Sequence, residues 1–410
     1  MAVGFPRKME DITNEWLSTV LGGTVTGYKT VFLEGGVLSD AFKLYAITYN
    51  NDAGGAPSSV VVKVANRVKE LRDFALMGNA YNKEINFFQS LAQDVPITVP
   101  KVYGCFSDGS AGSEYFIIVM EDLTAHSKVF DQINDPPNEA FARKIALEAA
   151  KMHAKFWESE TTSLPWVGRA DNRYVFSLDT MSKMGPATWA PFRALYAQMY
   201  GRDIFACGAF QAVEELTELL CGPKGVAIHE KIYDILSSRP KTLLHGDMRA
   251  DNVFRTDPAA GTSVEESTLT FIDWQIIHAG PPGPEFTQAW MHSLEPEERR
   301  KEKSILKQYH DRLVELNPVT AAYTYDMLVE DYALSFCFWW TAIITIGVGT
   351  LPSFDKPEGA RMKQLWGKGL FRSISALRDL DCLSLIKRLA AAVPDDPPAE
   401  VSAAEKSRTE

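Results

Sequence analysis

Leu244-His245-Gly246-Asp247-Met248-Arg249-Ala250-Asp251-Asn252-Val253-Phe254, with Phe271-Ile272-Asp273-Trp274-Gln275 after it, is the stretch whose reading decides the fold. It offers an aspartate, an asparagine five residues later, and a second aspartate on a short apolar run. Those are the groups that orient a hydroxyl and hold magnesium at a transferring phosphate. Asp247 is the candidate base. Asn252 and Asp273 are the candidate metal ligands, because magnesium takes hard oxygen donors alongside phosphate oxygens and water. Each residue alone has an ordinary explanation as a turn aspartate, a loop amide or a strand-end carboxylate. Together they make ATP-dependent phosphoryl transfer the expectation.

Upstream, Lys63 sits inside the β-branched run Val60-Val61-Val62-Lys63-Val64. An ammonium buried there needs a partner. Glu84 is the expected one, since Ile85, Phe88 and Leu91 place it beside the core face of the following helix. Glu70 is the rival, and an edge-strand lysine facing solvent is the competing reading. The pair would hold the ammonium against the nucleotide phosphates. Glu34-Gly35-Gly36-Val37-Leu38-Ser39 precedes it. Its glycines and Ser39 would let backbone amides approach phosphate, although Gly-Gly is also an ordinary hairpin turn. Glu121 and Leu123, in the run after Tyr115–Met120, would offer backbone groups to adenine at a connector. Tyr174, Phe176, Trp166, Trp189, Phe192, Tyr196, Trp274, Trp339 and Trp340 are either pocket lining or core. His153 reads as a packed helix residue.

The element pattern predicts an α+β fold. Thr13 is a plausible cap for a first helix. Strands are expected over Thr24–Leu33, Ala41–Tyr49, Ser58–Val64, Val99–Phe106 and Tyr115–Met120, with one helix over about Lys69–Ala92 after the third. Beyond Glu121 the pattern is mainly helical, with short strands at Thr242–Leu244, Val253-Phe254 and Leu269–Ile272. The expected organisation is a nucleotide-clamping lobe at 1–122, a helical lobe with the catalytic loop and acceptor site at 123–393, and a disordered tail at 394–410.

The 410 residues carry 42 Lys and Arg against 53 Asp and Glu, a net charge of −11. Without a cluster of Lys and Arg among aromatics, a nucleic-acid partner is not expected. Five widely spaced cysteines and no Asn-x-Ser/Thr acceptor fit a reduced, cytoplasmic protein. Tyr332–Leu351 is charge-free and of membrane-spanning length, but its Ser, Thr and Gly residues and the absence of a basic flank predict a buried helix. No phosphate-binding Gly-x-x-x-x-Gly-Lys-Ser/Thr loop occurs.

With the His245-Gly246-Asp247 loop, Asn252, Ile272-Asp273-Trp274-Gln275, Lys63, Lys83–Phe88, Val99–Tyr103, Met120–Leu123 and Ala150–Trp157 in view, the chain resembles the aminoglycoside phosphotransferase and choline kinase-like superfamily. Within it, the chain looks like the ecdysteroid kinase-like branch. The resemblance implies a two-lobed, protein-kinase-like fold, ATP with magnesium, and transfer of the γ-phosphate to a hydroxyl of a small-molecule alcohol, steroid-like or another secondary metabolite. It implies the same roles for Asp247, Asn252, Asp273, Lys63 and Glu84. The chain departs from relatives in carrying Glu285-Phe286 where they often have Asp-Leu, which puts the support of the metal loop in question. It also carries Trp274-Gln275-Ile276 where choline kinases usually have Phe-Glu-Tyr, which weighs against a choline- or ethanolamine-type acceptor. A silent nucleotide-binding scaffold is the alternative from another class.

Overall fold

The computed structural model describes residues 4–33, 38–50, 54–108, 114–169, 178–206, 208–259, 261–291, 293–351 and 360–394. Glu34–Val37, Tyr174, Phe176, Cys207 and the tail beyond 394 lie outside them. Among the described residues the first part contains α1 (Asn14–Leu21), β1 (Thr24–Leu33), β2 (Ser39–Asn50), β3 (Ser59–Ala65), α2 (Lys69–Met77), α3 (Ala80–Asn86), β4 (Val102–Ser107) and β5 (Phe116–Glu121). The Thr13 hydroxyl caps α1 by accepting the Trp16 N–H at 3.1 Å. The strands form one antiparallel sheet in the order β1-β2-β3-β5-β4.

Alternation sorts the two faces of this sheet. Val60, Val62 and Val64 pack under Trp16, Leu17 and Leu21 of α1. On the other face Val61 and Ala65 join Ile118 and Met120 against Tyr81 and Ile85 of α3. Lys63 belongs to this second face. It pairs with Ala41 on one side and Ile118 on the other, so β3 is central and the edge-strand reading fails.

The single helix expected over Lys69–Ala92 is instead broken. Gly78 ends α2, and Asn79 takes a left-handed φ of 53° before α3 begins. Asn tolerates that conformation better than most side chains. Phe87–Leu91 then winds as a π turn, with the Ala92 N–H reaching the Phe87 carbonyl at 2.8 Å. The extra residue in that turn re-aims the side chains. Ile85 stays on the sheet, while Phe87 enters the large core of the helical part and stacks on Trp274 at 3.9 Å and 8°.

The second part contains α4 (Glu139–Lys155), β6 (Gly168–Arg169), α5 (Leu178–Tyr200), α6 (Gln211–Cys221), α7 (Gly225–Ser238), β7 (Thr242–Leu244), β8 (Val253–Thr256), β9 (Thr268–Phe271), β10 (His278–Gly280), α8 (Gly283–Met291), α9 (Pro296–Arg299), α10 (Glu302–Leu316), α11 (Tyr325–Thr350), α12 (Ala360–Asp379) and α13 (Cys382–Ala391). α4 packs on α10, and α5 and α8 pack on α11. α11 is long and apolar enough to cross a membrane, yet it is mostly buried among its neighbours, as a core helix of a large lobe would be. Asp331 is not a flank of this run but lies inside α11, where it accepts from Tyr323 Oη at 2.7 Å and Arg239 Nε at 3.0 Å. The fold is α+β and two-lobed, with a five-stranded antiparallel sheet on one side and a mainly helical body on the other.

Phe87→Ala should remove the ring that ties α3 to the helical lobe. Urea unfolding should show a loss of about 3–5 kcal/mol. A loss of under about 1 kcal/mol would mean the stack does not join the lobes.

Candidate active site

Two short strands position the loop. β8 and β9 pair from Val253↔Phe271 outward, and the Ile272 N–H extends the ladder to the Asn252 carbonyl at 3.0 Å. Asn252 is thereby set opposite Ile272, with Asp273 the next residue along. Asp273 leaves the strand at φ 68°, a left-handed conformation uncommon outside glycine, which bends the chain away from the ladder. The Asn252 amide Nδ2 donates to the Asp247 carbonyl at 3.0 Å and to Asp247 Oδ2 at 2.9 Å. Spending the nitrogen on these acceptors leaves Asn252 Oδ1 as a free-standing oxygen donor.

His245 joins the two halves. Its Nδ1 accepts the Asp247 N–H at 3.1 Å, so its Nε2 is the protonated nitrogen and donates to the Ile272 carbonyl at 3.0 Å. Its ring lies 4.4 Å from that of Trp274. Gly246 sits at φ 87°. A Cβ there would come 2.6 Å from the Ile276 carbonyl, so glycine is required.

Glu285 corrects the expectation of a weakened loop. From the start of α8 its carboxylate accepts the His245 N–H at 2.7 Å and the Gly246 N–H at 2.9 Å. It holds the loop directly, with the longer side chain spanning the gap. Burial would raise its pKa, but neighbouring His153 and the other imidazoles outweigh that and keep the carboxyl low. His153 is packed in α4, as expected. It also has an unforeseen part, with Nε2 3.6 Å from Glu285 and Nδ1 2.7 Å from Tyr309 Oη. His245, His153 and Glu285 were missed as functional residues, because their contacts span from 27 to over 100 residues of sequence. The His-Gly-Asp run was the available signal for His245.

Lys63 Nζ lies 2.8 Å from Glu84 Oε1 and 2.9 Å from Asp273 Oδ1. Glu70 is exposed and takes no part. Burial works against the Lys63 charge, but the two carboxylates overcome it and raise its pKa. The same ammonium lowers the pKa of Asp273 against the opposing pull of burial. Burial raises the pKa of Glu84. It also raises that of Asp247, against the partial compensation of Arg249, which makes Asp247 the more basic of the two site aspartates. The Gln275 amide donates to Asp273 Oδ2 at 3.0 Å. One bonded network therefore brings Lys63, Glu84 and Asp273 together, and a second joins Asp247 to Asn252.

Ser39 is 3% exposed at the first position of β2. The glycine loop before it lies outside the described residues, so no phosphate contact is placed there. At the connector the Glu121 N–H is taken by the Lys101 carbonyl at 2.9 Å, and its Oε1 accepts the Lys101 N–H at 2.8 Å. The Leu123 carbonyl accepts from His126 and Ser127. Neither group is available to adenine. Asp122 braces the segment through Lys43, Ser59 and Thr124. Phe192, Tyr196, Trp274 and Trp340 are core residues, whereas Trp166, Trp189 and Trp339 are partly exposed.

Among the described residues no cluster of three or more His, Cys, Asp or Glu forms a metal cage. Asn252 Oδ1 and the Asp273 carboxylate are a pair of hard oxygen donors, which fits a magnesium ion that takes its remaining ligands from phosphate and water.

A family model, DUF1679, described as "Uncharacterized oxidoreductase dhs-27", matches residues 199–366, well under half of the chain. No curated protein matches the chain by sequence. Among solved structures the chain is similar to a choline kinase from Cryptosporidium parvum, at 12% identity over 88% of this chain and 93% of that one, TM-score 0.42. It is also similar to an ethanolamine kinase from Plasmodium vivax, at 13% identity over 88% and 84%, TM-score 0.39. A third is the GDP and kanamycin complex of APH(2")-IIia, at 11% identity over 93% and 99%, TM-score 0.45. These are the kinds of protein the sequence resembles.

Lys83, next to Glu84, is 3% exposed. Its ammonium lies against Gly168 and His278, with no carboxylate partner among the described residues. Burial pushes its pKa down to about 8. The unfolded chain holds that proton up to about pH 10.4. The native chain therefore binds fewer protons from about pH 8 to about pH 10.4, and stability rises with pH across that window. Below about pH 8 the penalty is present in full. Lys83→Met should unfold later than the parent at pH 7, by on the order of 3 kcal/mol, with the two converging near pH 10.5. Equal stability at pH 7 would mean the ammonium is compensated.

Proposed function

We propose that the protein is an ATP-dependent O-phosphotransferase that moves the γ-phosphate to a hydroxyl of a small-molecule alcohol. The observation that carries this reading is the network Lys63–Glu84–Asp273 beside the bonded pair Asn252–Asp247. A buried ammonium shared by two carboxylates is a costly feature for a scaffold. It is useful where triphosphate oxygens must be gripped at a fixed distance from an acceptor.

In this mechanism Lys63, held by Glu84, holds the α- and β-phosphates. Asn252 Oδ1 and Asp273 would hold magnesium, which supplies charge neutralisation at the phosphates. Asp247, fixed by the Asn252 amide and by His245, orients the acceptor hydroxyl and takes its proton late in the transfer. Glu285 holds the loop amides so that the carboxylate cannot swing. The partly exposed Trp166, Trp189 and Trp339, with the resemblance to ecdysteroid kinase-like proteins, favour an apolar or polycyclic acceptor, steroid-like or another secondary metabolite. Trp274-Gln275, with Trp274 in the core stack and Gln275 bonded to Asp273, departs from the choline-kinase pattern.

Asp247→Ala should bind Mg-ATP normally and lose turnover by about 10²–10⁴-fold. Asp273→Ala should lose the magnesium-dependent part of nucleotide binding in calorimetry. The assay is ATP consumption over an alcohol library, with mass detection of the phosphorylated product. Full turnover by Asp247→Ala would overturn the assignment of the base. Nucleotide binding without transfer to any alcohol would favour the scaffold reading.

A further inference from the structure

Arg249 is a cation that the network above leaves unspent. It lies two residues after Asp247 in extended backbone, φ −67° and ψ 158°. Its position is locked: its carbonyl accepts the Asn252 N–H at 2.9 Å, and the next amide, of Ala250, donates to Ser293 Oγ at 3.2 Å. The side chain is 33% exposed, with Nε 3.7 Å from Asp247 Oδ2. That is ion-pair range but too long for a hydrogen bond. Asp247 first, then Asp251 and Asp273, act on its charge. Yet Nε is buried without a hydrogen-bond partner. Asp251 is instead engaged by Gln132 Nε2 at 2.5 Å, and Asp273 by Lys63 and Gln275.

An arginine beside three carboxylates would ordinarily close a two-pronged bond with one of them. Here the backbone of the loop keeps the fork away from all three, so its planar set of N–H donors faces a missing oxyanion. The charge balance says which. Lys63 is already offset by Glu84 and Asp273. A triphosphate brought up to Asp247 would meet carboxylates at its transferring end, and Arg249 is the cation beside that base.

We propose that Arg249 binds the non-bridging oxygens of the terminal phosphate and stays on them as the group passes to the acceptor. In the step, the acceptor oxygen forms its bond to the γ-phosphorus while the bond from that phosphorus to the β-γ bridging oxygen breaks. The hydroxyl proton goes to Asp247, and ADP leaves with the bridging oxygen. Arg249 donates hydrogen bonds throughout and exchanges no proton. This rests on the phosphotransferase reading.

The test compares calorimetric binding of ADP and of the non-hydrolysable ATP analogue AMP-PNP, each with magnesium, to the wild type, Arg249→Ala and Arg249→Lys. Arg249→Ala should bind ADP within about twofold of wild type and the analogue about tenfold more weakly, the effect of losing one charge-assisted contact. Arg249→Lys should recover part of the loss as a point charge without the fork. Turnover of Arg249→Ala should fall about 100-fold or more. ADP binding reports that the variants are folded. An unchanged ratio of the two affinities with unchanged turnover overturns the proposal, and so does equal weakening of both nucleotides, which would mark a structural role. A wild type that binds neither nucleotide overturns the phosphotransferase reading and this proposal with it.

Discussion

The buried ammonium of Lys63 is the constraint on which the arrangement depends. It sits in the central strand of a sheet, where neither solvent nor the strand itself can satisfy it. Two carboxylates from different parts of the molecule do so: Glu84 from α3 and Asp273 from the turn after β9. Removing one partner of such a group typically costs about 3–5 kcal/mol, because a charge is left stranded. The ion pair therefore fixes distance and orientation between the lobes as well as stabilising them. The Phe87–Trp274 stack reinforces the same junction with apolar contact. Phe87 is three residues past Glu84 and Trp274 is next to Asp273, so one polar and one apolar contact lie side by side across the joint.

The catalytic loop depends on a second set of bonds that leaves its reactive groups free. Glu285 takes the backbone N–H groups of His245 and Gly246, and His245 takes that of Asp247. The loop is held through its main chain, so the Asp247 carboxylate, the Asn252 oxygen and the Arg249 fork remain for ligands. This division explains why glycine stands at 246, where no side chain fits beside the Ile276 carbonyl. It also explains why a buried glutamate is tolerated at 285, since its charge is met by two amides and by His153.

Much of this was legible in the sequence where the signal is local. The strands of the sheet were readable from β-branched runs and turn residues, and the Thr13 cap from its position before an apolar helix. Asp247, Asn252 and Asp273 stood out because loop and strand pair directly, so their spacing is set by a short hairpin. Glu84 was identifiable as the Lys63 partner because Ile85 marks the inward face of its helix. Other features were hidden for physical reasons. The apolar period runs unbroken through Gly78 and Asn79, so the break and the π turn leave no mark in the pattern. β6 and β10, at two and three residues, are too short to show alternation. Glu285 looked like a departure from the family pattern, and its two amide contacts exist only in three dimensions. The connector residues Glu121 and Leu123 were placed correctly along the chain, but which of their backbone groups are already bonded cannot be read from residue types.

The central claim is that Asp247, Asn252 and Asp273 converge on one divalent cation at the end of a nucleotide. Electron paramagnetic resonance with manganese in place of magnesium measures this most directly. Adding AMP-PNP to the wild type with manganese should give a protein-bound ternary signal that disappears in Asp273→Ala and weakens in Asn252→Ala. An identical bound-manganese signal in the wild type and in both variants would place the ion elsewhere and contradict the account.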